Sequence, residues 1–244
     1  DRNRMALMGA ALAGAAFGID AMLAPTGDHP VCAGGDCKDA KPVYDLDSVG
    51  ILRMLSEMEE SGRDCGGNPL SGNKVDKETG EIVDKSATPK FYKGASVTPL
   101  YDPIFLQVNK LRQKVEAGAM YVQTQGLFDL DVLKRFMDEV DKAGIKVHVM
   151  AGIIPLKGAG GAKYMNENVP GIAVPQDMID RLAAAAAEGK EKGIKGLPAK
   201  VGMEMAAEMI AKIKDEKLCD GVHVMAIGAE KSVPTILEMA GVTV

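Results

Sequence analysis

The sequence has no tryptophan, only 4% aromatic residues and three histidines among its 244 residues. So few histidines do not suggest a clustered metal site. No apolar run reaches the about 18 residues of a membrane-spanning helix. The net charge of -5 gives no overall basic surface for nucleic acid. Four irregularly spaced cysteines do not form a disulfide framework, and they favour a reducing, cytoplasmic compartment.

The sequence is rich in small and flexible apolar residues, with 46% hydrophobic content, 28 glycines and 15 methionines. A helical stretch, a glycine-bearing turn and a short apolar strand recur along it. Helices are predicted over residues 4–17, 45–60, 104–117, 130–143, 175–187, 201–216 and 231–240. Strands are predicted at Ile19–Ala24, Lys93–Thr98, Met120–Thr124, Val147–Ile153 and Gly221–Ala226. This alternation predicts a parallel α/β fold in a single domain over residues 1–244.

The first apolar segment allows two interpretations. Arg2 and Arg4 precede the run Met5–Ile19, which is the order of a signal peptide. Asp20 interrupts the run where a small-residue cleavage site would be expected. We therefore predict a buried helix of small residues that leads into a strand.

Three segments depart from the repeating pattern. Residues 62–90 are polar and turn-rich, and we predict a small hairpin near Thr79 and Gly80, at the amino-terminal edge of the strands, as decoration or a subunit contact. Residues 188–200 are charged and glycine-rich, which favours a solvated loop over an anion site. The Gly158–Gly161 stretch does not match a dinucleotide-binding glycine pattern and is interpreted as a flexible loop over a pocket.

Polar residues follow most of the predicted strands, at the end where parallel α/β proteins place their chemistry. Asp28 follows Gly27 after the first strand, where its carboxylate could orient a polar heterocycle or simply cap a turn. Gln123 and Gln125 alternate in a strand and therefore share one face. Their amides either contact a pterin-like ring edge or are hydrogen-bonded inside the protein.

The cysteines and His29 suggest further ligands, although weakly. Cys32 and Cys37 form a C-x4-C pair that could bind a metal or act in redox chemistry, but two free thiols are the simpler interpretation. Cys65 and Cys219 precede strands and would lie at the opposite end. His29 either hydrogen-bonds a cofactor or is a polar loop residue. We therefore predict no metal site.

Several ordered motifs together resemble the methylenetetrahydrofolate reductase family over nearly the whole chain except residues 62–90 and 188–200. The motifs are Asp1-Arg-Asn-Arg-Met-Ala-Leu7, Gly18-Ile19, Thr26-Gly-Asp-His-Pro30, Ala40-Lys-Pro-Val-Tyr-Asp-Leu-Asp-Ser-Val49, Lys114-Val-Glu-Ala-Gly-Ala119, Gln123-Thr-Gln-Gly-Leu-Phe-Asp129, Ala151-Gly-Ile-Ile-Pro-Leu156 and Asp220-Gly-Val-His-Val-Met225. The resemblance implies a (β/α)8 TIM barrel, of which this sequence supplies about the last five βα units. It is closest to the short forms that consist of the catalytic barrel alone.

The resemblance also implies a flavin enzyme of one-carbon metabolism and methionine biosynthesis. Such an enzyme converts 5,10-methylene-tetrahydrofolate to 5-methyl-tetrahydrofolate by hydride transfer through FAD, or FMN as the alternative. The electron donor would be NADH or NADPH, a deazaflavin, or a partner subunit, and the chain would form a homo-oligomer or an electron-transfer complex. A barrel subunit that binds a pterin or a partner without catalysis is the alternative function.

Motif matches assign the site residues. Thr26, Gly27 and Asp28 would form a flavin-contacting turn, with Asp28 also holding the pterin as the candidate catalytic residue. Gln125 matches the pterin-binding glutamine. The remaining predicted flavin contacts are His29, Tyr44, Asp45, Thr98, Asp102 and Lys114.

The departures from the family pattern affect the substrate and the proton donor. Gly161 and Ala229 stand where better-known members have a substrate-contacting Gln and Arg, so tetrahydromethanopterin is an alternative pterin. The family's general-acid glutamate would lie before residue 1. We therefore expect the sequence to be a fragment or incomplete, with its proton donor outside it.

Overall fold

A computed structural model describes residues 2–32 and 39–242. The strands in these ranges are β1 Ala21–Leu23, β2 Lys74–Val75, β3 Ile82–Asp84, β4 Tyr92–Val97, β5 Tyr121–Gly126, β6 His148–Ile153 and β7 Gly221–Val224. The helices are α1 Arg4–Ala16, α2 Ser48–Ser61, α3 Ile104–Glu116, α4 Leu130–Lys142, α5 Ala159–Asn168, α6 Gln176–Lys192, α7 Leu197–Glu216 and α8 Val233–Met239.

The chain divides into two compact units. The first comprises the described part of Asp1–Ser96 together with Arg112–Tyr121. In this unit β1 and β4 pair in parallel, with Ala21 opposite Tyr92 and Leu23 opposite Gly94. The helices α1 and α2 pack around Met54, Leu55, Met58 and Phe91, which form one apolar cluster.

The second unit comprises Val97–Leu111 and Val122–Val244. Here the strand order is β5-β6-β7, and β6 pairs in parallel with β7 through Met150 opposite Gly221. The long helix α7 contributes to two apolar clusters, with Met205 in one and Ile210 in the other. This helix therefore organises the core of the second unit.

The predicted alternation of strands and helices is confirmed. Five strands of the parallel sheet are each followed by at least one helix, in the order β1-α2, β4-α3, β5-α4, β6-α5 and β7-α8. The observed strands lie within three residues of the predicted bounds because each is a short apolar run with a glycine or polar boundary. The fold is α/β, with the repeating units of a partial TIM barrel.

The predicted loop over residues 188–200 is wrong. Helix α6 continues to Lys192, and α7 already begins at Leu197. The charged residues belong to the helix, since Glu188 and Lys192 form an i,i+4 ion pair of 2.8 Å. Gly193, in the left-handed conformation, ends α6.

The interpretation of Gly158–Gly161 as a flexible loop is also wrong, because α5 begins at Ala159. The amide of Ala162 donates to the carbonyl of Gly158 at 3.3 Å, which closes the first helical turn. Ala162 is fully buried. Burial of this side chain therefore stabilises a helix that begins with glycines.

The first helix forms where it was predicted, but its predicted burial is wrong. Only Ala11 of α1 is buried, and Met5 is 75% exposed. Among the described residues α1 packs against α2. The small apolar residues of α1 therefore form a helix, but only Ala11 among them is buried.

The polar segment between α2 and β4 contains the predicted hairpin. Strands β2 and β3 pair antiparallel, and Lys74 contacts Asp84 at 3.1 Å. Hydrogen bonds from Ser86 and Lys74 lower the pKa of Asp84 to about 2. The segment joins the carboxyl end of α2 to the amino end of β4, as predicted.

Within the described ranges, no helix combines the length and the apolar character that a membrane crossing requires.

The close approach of α7 to the chain after β6 gives a stability prediction. A Cβ at Gly202 would lie 1.7 Å from the carbonyl oxygen of Leu156. Gly202→Ala should therefore lower the free energy of unfolding by about 3 kcal/mol, because backbone must move. Chemical denaturation measures the change.

Gly161→Ala is the matched control, since it also lies in a helix and nothing lies within 4 Å of its built Cβ. This control should be neutral or stabilising by up to about 1 kcal/mol. Equal changes in the free energy of unfolding for the two variants would show that the Leu156 carbonyl does not restrict the residue at position 202.

Candidate functional site

The turn after β1 is anchored to the start of α2. The Ser48 hydroxyl donates to the Ala24 carbonyl at 2.5 Å, and the Ser48 amide donates to the Thr26 hydroxyl at 3.1 Å. Ser48 and Ala24 are both buried. Asp47 caps α2 by accepting from the Gly50 amide at 2.8 Å. The predicted flavin-contacting turn therefore begins at a fixed point at the carboxyl end of β1.

Two aromatic rings lie together beside this turn. The centroids of His29 and Tyr44 are 5.9 Å apart and their planes are inclined at 40°. Tyr44 has φ 49°, a left-handed conformation that costs energy in a residue with a Cβ. The structure therefore brings these two predicted contacts together, although 14 positions separate them in the sequence.

The hydrogen bonding of His29 defines which ring nitrogen can face a ligand. Its Nδ1 accepts from the Val31 amide at 3.1 Å. A nitrogen that accepts carries no proton, so the neutral ring has its proton on Nε2. His29 therefore presents a hydrogen-bond donor from its other nitrogen.

Asp28 is exposed, and none of the described residues hydrogen-bonds to its carboxylate. Among the described residues, Asp28 therefore caps no turn. Gly27 has φ +77°, and a built Cβ would have no neighbour within 4 Å. The backbone beside Asp28 is thus open to a ligand.

Two other predicted flavin contacts of the first unit already have protein partners. Asp45 accepts from the Arg4 amide at 2.9 Å, at the start of α1. Lys114 is buried, and its ammonium donates to the Ser96 carbonyl at 2.6 Å. Asp45 therefore helps to position α1, and Lys114 helps to position β4.

In the second unit, β5 alternates as predicted. Val122 and Thr124 are buried, whereas Gln123 and Gln125 are half-buried on the other face. The Thr124 hydroxyl accepts from the Gly152 amide at 2.8 Å and donates to its neighbouring carbonyl. Neither glutamine amide has a hydrogen-bond partner among the described residues, so the interpretation of internally bonded amides is not supported.

A loop that the sequence analysis did not connect with the site closes on Gln125 and Thr98. Gly171 has φ +80°, and its built Cβ would lie 2.7 Å from the Thr98 methyl carbon and 3.5 Å from the Gln125 side-chain nitrogen. Asp102, another predicted flavin contact, is exposed just before α3 begins at Ile104. The structure therefore brings Thr98 and Gln125 to the same loop. The only sequence signal for this loop is the Pro170-Gly171 pair, which marks a turn.

The loop that carries Gly171 is held closed by one side chain. Asn166, on α5, donates to the Val174 carbonyl at 3.0 Å and accepts from the Val174 amide at 2.6 Å. A cavity of about 140 Å³ lies beside this loop. Its lining residues are Leu100, Gly126, Leu127, Phe128, Asp129, Val132, Gly171, Ala173, Val174 and Pro175.

The cysteines give no metal centre among the described residues. Cys32 is an exposed free thiol, and Cys37 lies outside the described ranges, so the interpretation of the two residues as free thiols stays a prediction for Cys37. Burial raises the pKa of the Cys65 thiol and of the Cys219 thiol, which disfavours reactive thiolates. Within the described residues no cluster of three His, Cys, Asp or Glu could hold a metal ion.

These features define a class of α/β protein with polar groups at the carboxyl ends of parallel strands, where such proteins place their ligand sites. Comparison with known proteins gives the family. The family model described as methylenetetrahydrofolate reductase matches residues 89–241, which is more than half of the chain. The chain therefore belongs to the methylenetetrahydrofolate reductase family.

Individual relatives agree with this assignment. The probable methylenetetrahydrofolate reductase (NADPH) of Caenorhabditis elegans is 24% identical over 93% of this chain and 29% of that protein. Methylenetetrahydrofolate reductase 1 of Schizosaccharomyces pombe is 27% identical over 57% of this chain and 22% of that protein. The 5,10-methylenetetrahydrofolate reductase of Escherichia coli is 30% identical over 45% of this chain and 35% of that protein. The matches thus span from 22% to 35% of the length of these relatives.

The Ser48 anchor predicts a specific loss of stability. Ser48→Ala removes the donor to the buried Ala24 carbonyl and should lower the free energy of unfolding by about 2 kcal/mol. Ser61→Ala, which removes an exposed bond to the Glu57 carbonyl and an exposed bond from the Arg63 amide, is the control and should change the free energy of unfolding by less than about 0.5 kcal/mol. Urea denaturation measures the free energy of unfolding of both variants. An unchanged denaturation midpoint in Ser48→Ala would show that the Ser48 hydrogen bond does not stabilise this turn.

Proposed function

We propose that this chain supplies flavin- and pterin-binding groups of a reductase that converts 5,10-methylene-tetrahydrofolate to 5-methyl-tetrahydrofolate. Membership of the family supports the reaction class. The observation that carries the proposal is the turn after β1, where Asp28, whose carboxylate has no hydrogen-bond partner among the described residues, directly precedes His29, whose ring lies 5.9 Å from that of Tyr44. An exposed group of this kind has no evident structural purpose and suits a polar heterocycle.

The residues of this turn fit a flavin. Flat aromatic faces at His29 and Tyr44 can pack against a flat ring, and the Nε2–H of His29 can donate to a heterocycle nitrogen or carbonyl. The open backbone at Gly27 permits close approach. When bound, a flavin supplies hydride transfer from a reduced carrier to the methylene carbon of the pterin.

The groups suited to the pterin are a carboxylate and an amide. Asp28 can accept N–H groups from the pterin edge, whereas the amide of Gln125 can both donate and accept. Tetrahydromethanopterin has the same kind of ring edge and remains the alternative substrate. Thr98, Asp102, Asp45 and Lys114 keep their proposed role as flavin contacts.

The electron donor is proposed to be NADH or NADPH, with a deazaflavin or a partner subunit as alternatives. FAD is the proposed flavin and FMN the alternative. A homo-oligomer or an electron-transfer complex is the proposed assembly. A barrel subunit that binds a pterin without catalysis remains the alternative function.

Binding measurements on the purified chain test the proposal. The protein should be yellow or should bind added FAD or FMN, and chromatography after denaturation should identify the flavin. Asp28→Asn should weaken binding of flavin or of 5-methyl-tetrahydrofolate about ten-fold, because a hydrogen bond to a charged group is lost.

Asp138→Asn, on the exposed face of α4, removes a charge of the same kind away from the turn and should leave both affinities unchanged. A colourless protein that binds neither flavin would contradict the proposal. Pterin binding without flavin binding would favour the non-catalytic alternative.

A further inference from the structure

A side chain at Gly171 would collide with one predicted ligand contact, Thr98, and would lie in van der Waals contact with a second, Gln125. Its φ of +80° is a conformation that L side chains rarely adopt. A Cβ there would approach the Thr98 methyl carbon to 2.7 Å, a distance that real Cβ atoms essentially never show. The same Cβ would lie 3.5 Å from Cδ and Nε2 of Gln125.

The loop cannot easily retreat from Thr98 and Gln125. The two hydrogen bonds between Asn166 and the backbone of Val174 close it from one side. Val174 is 4% exposed and packs in a cluster with Phe128, Ala162 and Leu182. Moving the loop outward would therefore disrupt a buried cluster, so the strain of a larger residue would fall on Thr98, which lies beside Gln125 at this loop.

We propose that Gly171 is a positioning residue, which lets the loop after α5 close on Thr98 and so fixes the Gln125 amide for its ligand. The ligand part of this inference rests on the proposed function, whereas the positioning part does not. Gln125 has no hydrogen-bond partner among the described residues, so its orientation depends on packing, and Gly171 is one of the residues beside its amide.

The first measurement needs no ligand. In the full chain labelled with 15N, the side-chain amide signals of Gln125 are identified by their loss in Gln125→Glu. Gly171→Ala should shift or broaden these signals. In Gly171→Ala combined with Thr98→Ser, which lacks the obstructing methyl group, the signals should return to those of Thr98→Ser alone.

The second measurement is affinity for 5-methyl-tetrahydrofolate by calorimetry. Gly171→Ala should weaken binding by about ten-fold or more, since small misplacements of binding groups have effects of this size. The added Thr98→Ser change should restore most of the loss relative to Thr98→Ser alone.

Gly144→Ala separates this steric effect from backbone strain. Gly144 has a similar φ of +66°, but nothing lies within 4 Å of its built Cβ. This variant should leave the Gln125 signals and the pterin affinity unchanged. Thermal unfolding of each variant is also measured, so that a loss of stability is distinguished from a change in the Gln125 signals or in pterin affinity.

The outcomes separate the inference from the proposed function. Unchanged Gln125 signals in Gly171→Ala, equal changes in Gly144→Ala, or no recovery with Thr98→Ser would each overturn the positioning role. If the signals respond as expected but the unsubstituted chain binds neither flavin nor 5-methyl-tetrahydrofolate, the positioning role stands and the proposed function fails.

Discussion

The second unit depends on how closely α7 approaches the chain that leaves β6. Gly202 has no side chain, so the helix comes against the Leu156 carbonyl and α7 buries a full face of methionine, alanine and isoleucine residues. Leu156 packs in the same cluster as Ala162 and Val174. At this close approach, α7 therefore packs against the same cluster that includes Ala162 of α5 and Val174 of the loop that carries Gly171. The core of this unit thus supports the loop that lies beside Gln125.

The first unit reaches a comparable result by hydrogen bonding. One serine, Ser48, holds the end of β1 and the Thr26 hydroxyl at the start of a capped helix. Asp28 and His29 can be exposed and still hold a defined position, because the chain is fixed at Ala24 and Thr26 just before them. Asp28 and His29 gain accessibility in this way, and Tyr44 adds a ring held in a strained backbone conformation. Rigid support beneath exposed polar groups is the usual arrangement for ligand binding.

Periodicity predicted the parts of the fold in which one physical rule dominates. Strands such as β5 and β6 are apolar on their buried face, and the face shared by Gln123 and Gln125 follows from that alternation alone. Prediction failed where two rules compete. The charges of 188–200 were interpreted as a loop, although i,i+4 pairing extends α6, and the glycines of α5 obscured the burial of Ala162. At the candidate site, the sequence predicts chemically distinctive residues such as Asp28 and Gln125 as ligand contacts. Ser48, Asn166 and Gly171 act through contacts with residues distant in the sequence, which sequence spacing does not show.

The segment between α2 and β4 is anchored in the apolar cluster by Leu70, whereas its turns are held by hydrogen bonds within the segment. Asp64 and Asp76 each accept backbone amides within a few residues, and Arg63 donates to the carbonyls of Gly67 and Gly80. Because these bonds begin and end inside the segment, lengthening its tip would add mainly loop-closure entropy, which grows slowly with length. The tip of this hairpin is therefore the position at which evolution, or an engineer inserting a tag or a reporter domain, can change the chain with least effect on the strand ends.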